Sequence, residues 1–211
     1  MTVGLGETVA IIGPNGSGKT TLIRILAGLT RQDTGKILLS GLDTSRSGEK
    51  ARRTVGVVAH DSFLYEDLTG FENLHFVGRL FEVDCIEERI ESIAARLGIT
   101  SRLNQRVASL SHGLRKRFAI ARAFIHEPRI LLMDEPESGL DQQSMTILGD
   151  LVMDHVSGGG AVLMTSHDLD WSVTLSNRLA IISSGRIVRI GDTEDVNSIR
   201  KEYQVYTGMG E

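Results

Sequence analysis

The chain has 211 residues, 41% hydrophobic and 24% charged, enough apolar material for one well-buried domain and too much for wholesale disorder. Its 23 basic and 27 acidic side chains leave a net charge of −4, so no global charge favours nucleic acid or an anionic membrane. Cys85 is the single cysteine, which excludes an internal disulfide and fits a reducing, cytosolic compartment; no apolar run approaches the roughly 20 residues of a membrane-spanning helix, and Met1–Glu7 lacks the basic and apolar regions of a secretory signal.

From the N-terminus, the β-branched, apolar run Thr8–Ile12 predicts a strand and Lys19–Ala27 a helix. Between them, Gly13-Pro14-Asn15-Gly16-Ser17-Gly18-Lys19-Thr20 has the spacing G-x-x-x-x-G-K-[ST], after a strand and before a helix, where a phosphate-binding loop belongs. Its glycines let successive backbone N–H groups face an anion at a helix N-terminus. Lys19 adds charge for the β- and γ-phosphates, Thr20 offers a hydroxyl to Mg²⁺, and Pro14, Asn15, Ser17 and Thr21 complete the candidate nucleotide contacts.

Thr54–Val58 predicts the next strand, with His60 just beyond it. Between Thr69 and Gly98, apolar residues such as Leu74, Val77, Ile86, Ile90 and Ile93 recur at helical spacing and predict two or three helices. Ser111–His126 predicts another, with Phe118, Ala121 and Ile125 on one side. We read residues 69–128 as a helical subdomain inserted between strands of a core formed by 1–68 and 129–211, the whole chain being one domain.

Ile130–Met133 is an apolar strand ending in Asp134 and Glu135, at the carboxyl edge where parallel sheets bind ligands. Asp134 suits Mg²⁺ through its water shell, and Glu135 suits polarising an attacking water as a general base. Ala161–Thr165 and Leu179–Ser183 are apolar almost throughout, as strands covered on both faces are. Ser184-Gly185 then predicts a turn into an antiparallel strand at Ile187–Ile190, so the fold class is α/β with a mixed, mostly parallel sheet. Trp171 reads as packing in a short helix, Cys85 as an inert part of the helical subdomain, and Lys201–Tyr206 as either a cap on the domain or a partner contact.

In this order the motifs resemble those of the ATP-binding cassette (ABC) ATPases. Leu110-Ser111-His112-Gly113-Leu114 is similar to the family's Leu-Ser-Gly-Gly-Gln, departing at His112 and Leu114. Ser138-Gly139-Leu140-Asp141 resembles the D-loop and Thr165-Ser166-His167-Asp168 the H-loop. The resemblance runs from about Val3 to Arg200. It implies a P-loop NTPase core, ATP and Mg²⁺ as ligands, and a homodimer or pseudo-dimer packed head to tail. Ser111 and Gly113 of one subunit would close on ATP held by the other subunit's P-loop, and His167 would hydrogen-bond the γ-phosphate. Arg115, Lys116 and Arg117 then read as a solvated helix face or as a reach toward the partner's phosphate.

The resemblance further implies an ATPase that drives an integral-membrane permease from the cytoplasmic face, with no nucleic-acid partner and no membrane insertion of its own. His60 stands where the family has a glutamine that contacts Mg²⁺ or water. Family members also carry about two antiparallel strands and an adenine-stacking aromatic before the P-loop, but no aromatic precedes Lys19 here. Those strands are expected to be truncated: either the chain starts late or another group covers the adenine. His60–Thr69 with Glu72-Asn73-Leu74 is similar to the haem-exporter ATPase of cytochrome c maturation and its relatives, which implies an exporter. The departures at His60, His112 and Leu114 leave open a nucleotide-binding subunit poor at hydrolysis, and a soluble, non-transport ABC ATPase is the third reading.

Overall fold

The computed structural model describes residues 1–193 and 196–207. Its described residues form a six-stranded sheet in the order β4-β5-β6-β1-β7-β8. These strands are β1 (Glu7–Ile12), β4 (Val55–Val58), β5 (Ile130–Asp134), β6 (Ala161–Ser166), β7 (Arg178–Ser183) and β8 (Arg186–Asp192). The pairings from β4 through β7 are parallel; β8 runs antiparallel to β7. The turn between those two places Ser184 at φ 48° and Gly185 at φ 75°, the left-handed pair that a tight two-residue hairpin needs. The mixed sheet expected at the C-terminal end is therefore present.

Side-chain alternation explains why the central strands read as unbroken apolar runs. Leu131, Met133, Val162 and Met164 face one core with Leu74, Phe118 and Leu148. Leu132 and Leu163 face a second core on the other side, with Ile11, Ile23 and Ala180. Both faces are dry, so neither has polar positions to break the run. Helix α1 (Lys19–Leu26) covers the second face; on the first lie α3 (Gly70–Leu80), α4 (Ile86–Arg96), α5 (His112–Phe124) and α6 (Gln142–Ser157).

The stretch between β4 and β5 holds α3, α4, two short 3-10 turns and α5, but no strand. Its entry is set by a capping box: the Thr69 hydroxyl accepts from Glu72 N, and the Glu72 carboxylate accepts from Thr69 N at 2.8 Å. Ser111 caps α5, as its residue type predicts. α5 is buried well beyond one side, with Ala119, Ile120, Ala123 and Phe124 inside as well as Phe118 and Ala121.

Sequence reading passed over a small antiparallel pair, β2 (Leu38–Leu39) with β3 (Leu42–Asp43), and α2 (Thr44–Arg52) after it. Trp171 lies in α7 (Leu169–Leu175), half-buried against the core. The C-terminal stretch forms α8 (Val196–Thr207), whose Ile199 packs on Leu179 and Ile181 of β7 and whose Arg200 pairs with Asp170 at 2.8 Å. The residues before β1 form no strand. No helix among the described residues is long and apolar enough to cross a membrane.

His126, just beyond α5, stacks on Phe81 with ring centroids 4.0 Å apart and donates through Nε2 to Val55 O at 3.1 Å. Burial holds its imidazole down at about 4, helped by Arg122 and Arg89 and opposed by the Val55 hydrogen bond. An unfolded chain protonates the same ring near pH 6.5. Between those values the unfolded state binds more protons, so this contribution is full above about pH 6.5 and is lost as the pH falls toward 4, by up to about 3 kcal/mol. Urea unfolding at about pH 7.5 and about pH 5 should show wild type losing about 2 kcal/mol more than His126→Phe, which has nothing there to titrate. Equal losses in the two proteins would place the acid sensitivity elsewhere.

Candidate active site

Strand register brings the motifs to one edge. Ile12 pairs with Ser166, Asp134 with Thr165, and Val58 with Met133, so the ends of β1, β6, β5 and β4 lie side by side. The Gly13–Thr20 loop follows β1, His167 follows β6, Asp134 ends β5 with Glu135 next, and His60 lies just beyond β4.

The loop after β1 is shaped by its backbone. Gly16 and Gly18 have φ of 77° and 105°, which side-chain-bearing residues rarely adopt. A Cβ on Gly13 would lie 2.3 Å from Ile182 O and 2.7 Å from Ser17 Oγ. Lys19 is 4% exposed, and its Nζ donates to Gly13 O at 2.8 Å, curling the side chain under the loop. Two features suit a polyphosphate: α1 has no side-chain cap for its first N–H groups, and Ser17 Oγ is buried without a hydrogen-bond partner. Thr20, Thr21 and Asn15 are exposed, Pro14 half-buried.

Opposite the loop, Asp134 is 4% exposed and accepts from Thr165 Oγ1 at 2.7 Å. Glu135 takes φ 45°, a left-handed backbone that costs a non-glycine residue about 1–2 kcal/mol. Its N–H is held at 3.1 Å from both Thr165 O and Thr165 Oγ1. So placed, its carboxylate stands 3.5 Å from Lys19 Nζ and 3.7 Å from His167 Nδ1. A cation, a carboxylate and an imidazole thus form a row beside Asp134. Among the described residues no three His, Cys, Asp or Glu side chains cluster as a closed metal site. Such an arrangement fits Mg²⁺, which dehydrates reluctantly and is usually held by one or two protein groups, phosphate oxygens and waters.

His60 is exposed at the end of β4, on the same edge as Asp134. Ser111 and Gly113 are not brought to this row within the chain. The Ser111 hydroxyl accepts from Leu114 N, its carbonyl accepts from Arg115 N, and the residue is otherwise open to solvent. The His112 ring lies against Gly139 of the next loop, where a Cβ would approach it to 2.6 Å.

Arg115, Lys116 and Arg117 form neither a solvated face nor a free cluster. Arg115 donates to Leu110 O and Ala108 O and pairs with Glu66 at 3.3 Å. Arg117 donates to Ser144 Oγ at 2.8 Å and pairs with Asp141. Lys116 is 7% exposed, its Nζ 3.4 Å from Glu135 O. Burial draws the Lys116 pKa below the usual lysine range, against the pull of Glu137, Asp134 and Glu135. The three residues tie α5 to its surroundings because that helix is enclosed on nearly every side. Glu137 is the residue near the site that motif reading passed over, while Lys116 and Thr165 were named there without the contacts they make to Glu135 and Asp134.

Residues 1–138 match the family described as ABC transporter. The chain is 39% identical over 189 residues to an uncharacterized ABC transporter ATP-binding protein, YdbJ, of Bacillus subtilis, covering 89% of this chain and 61% of that protein. It is 35% identical to the Nod factor export ATP-binding protein I of Cupriavidus metallidurans, covering 90% and 64%. The chain therefore spans a little over three-fifths of the length of these relatives. Among solved structures, an ATP-binding cassette dimer in a post-hydrolysis state with ADP and Pi superposes with a TM-score of 0.82 at 26% identity, covering 92% of this chain and 89% of that one. The family match over residues 1–138, together with these relatives, shows that the chain belongs to the ABC transporter family as one of its ATP-binding domains.

Proposed function

We propose that this chain hydrolyses ATP as the energy-coupling subunit of a membrane transporter, an exporter, working as a dimer. The row Lys19–Glu135–His167 beside Asp134 carries the proposal. Lys19 and the backbone N–H groups of Gly13–Thr20 hold the β- and γ-phosphates. Water attacks the γ-phosphorus and the bond to the bridging oxygen breaks, leaving ADP and phosphate. Glu135 accepts the water's proton, and His167 hydrogen-bonds the γ-phosphate. Thr20 and Asp134, with His60 as a further candidate, would hold Mg²⁺, which would supply charge neutralisation at the phosphates. Phosphoryl transfer asks mainly for such positioning and charge stabilisation, which a rigid sheet edge supplies.

Ser111, exposed, and Gly113, half-buried at the start of α5, serve the second subunit's ATP. Phe63 and Tyr65, which follow His60 in the chain, and Phe76 and Leu80 of α3 are all exposed, and Tyr65 and Phe76 meet edge to face at 5.5 Å. That apolar group suits contact with a permease, and the segment 69–128 would move as a lobe against the core of 1–68 and 129–211. The likeness to a Nod factor exporter supports export. The His60–Leu74 segment supports a haem-related cargo as the finer assignment, with lipid-like and drug-like cargoes as the alternatives.

The test is Mg-dependent phosphate release by the purified chain, alone and reconstituted with its permease, against Lys19→Ala. Removing one such donor typically costs about 10²–10³ in turnover, so the variant should fall to background. Nucleotide binding without turnover in wild type, with the permease present, would instead make the chain a regulatory subunit.

A further inference from the structure

Glu137 is a carboxylate inside the protein, 6% exposed, where an ionised group is costly unless it is bonded. Its Oε1 accepts from Ser166 Oγ and lies 3.4 Å from His167 N and 3.5 Å from His167 Nδ1. Its Oε2 is buried with no hydrogen-bond partner. The His167 side chain, by contrast, is 59% exposed, and the two groups facing its Nδ1 are Glu137 and, at 3.7 Å, Glu135. An imidazole that open to water can change rotamer unless something fixed holds it. Glu135 is itself one-third exposed and shared with Lys19. Glu137 is the fixed neighbour, clamped by burial and by Ser166.

We propose that Glu137 is a positioning residue that holds His167 through Nδ1–H and so fixes the ring, leaving its opposite edge free to donate Nε2–H to the γ-phosphate once the ring carries its second proton. Which nitrogen of a histidine carries the proton is set by the partner of the other, and here both partners of Nδ1 are acceptors. The catalytic consequence rests on the ATPase reading above. The contact itself does not, and can be observed without turnover.

Two measurements separate those levels. In nitrogen-15 imidazole spectra of nucleotide-free protein, wild-type His167 should show the Nδ1–H form. Glu137→Ala should shift the population toward the Nε2–H form, and Glu137→Gln, which keeps the Oε1 acceptor, should retain most of the wild-type signature. In steady-state kinetics, Glu137→Ala should lower kcat about tenfold or more with KM for ATP nearly unchanged, since the P-loop does the binding, while Glu137→Gln recovers most of the loss. Added to His167→Ala, Glu137→Ala should cost nothing further. An unchanged His167 signature in Glu137→Ala, or fully additive losses in the double variant, would overturn the assignment. If Glu137→Ala does not fold, Ser166→Ala removes the clamp and should move the same signals. A wild type that shows the Nδ1–H signature but no turnover would sink the ATPase reading and leave the contact standing.

Discussion

Glu135→Gln should reduce phosphate release by about 10²–10⁴-fold while leaving ATP bound. The substitution keeps the side chain's length and the left-handed backbone that aims it, but replaces the proton acceptor with an amide. It also removes the negative charge 3.5 Å from Lys19 Nζ, so the lysine is left freer to serve a phosphate and affinity should not weaken. If ATP is sandwiched between two copies through Ser111 and Gly113, blocking hydrolysis should also hold the dimer closed. Light scattering on Glu135→Gln should therefore show the 23.0 kDa chain doubling in mass with Mg-ATP and remaining single without it. Wild-type hydrolysis in the variant would refute Glu135 as the base. A monomer that binds ATP without doubling would refute the dimer while leaving the base assignment untouched.

What could be read from the sequence and what could not have different physical origins. The phosphate loop was legible because its demands are local: glycines at left-handed positions, a lysine and a hydroxyl at the start of a helix. The strands that carry Asp134 and His167 were legible because both of their faces are buried, which makes short, unbroken apolar runs. α2 had no such signal, since Ala51 is its one buried residue and its backbone kinks at Ser47. The Arg115–Arg117 run misled for the opposite reason. Charge in sequence suggests solvent, yet this helix is enclosed, and each side chain finds a carbonyl or a carboxylate on another segment. Glu137 and Thr165 belong to a third kind. Their importance lies in contacts between the loop after β5 and the end of β6, a pairing that arises only when the strands are laid side by side.

The largest effect on stability is expected at a position with no chemistry. Gly56 sits in β4 beneath α5, and a Cβ there would lie 2.3 Å from Ala123 O, 2.8 Å from Pro128 Cγ and 2.9 Å from Leu131 Cδ2. The first of these is backbone of a buried helix and the second is a ring, so neither can swing aside as a flexible side chain would. Relief requires α5 to lift from the sheet, and α5 also carries Phe118, buried against Gly70, and Lys116, which reaches the carbonyl of Glu135. Overpacking a rigid core by one methyl group typically costs about 1–3 kcal/mol, and contact with backbone places Gly56→Ala at or above the upper end. Gly191→Ala is the matched control: it too lies in a strand, but its Cβ would meet nothing closer than the Arg189 guanidinium at 3.5 Å, so it should change stability by less than about 0.5 kcal/mol. Urea unfolding of both variants measures the difference. Because the strain is transmitted through α5, Gly56→Ala should also lower turnover before the protein unfolds, and full activity in a destabilised variant would show that the α5 to Glu135 contact does not help to place the carboxylate.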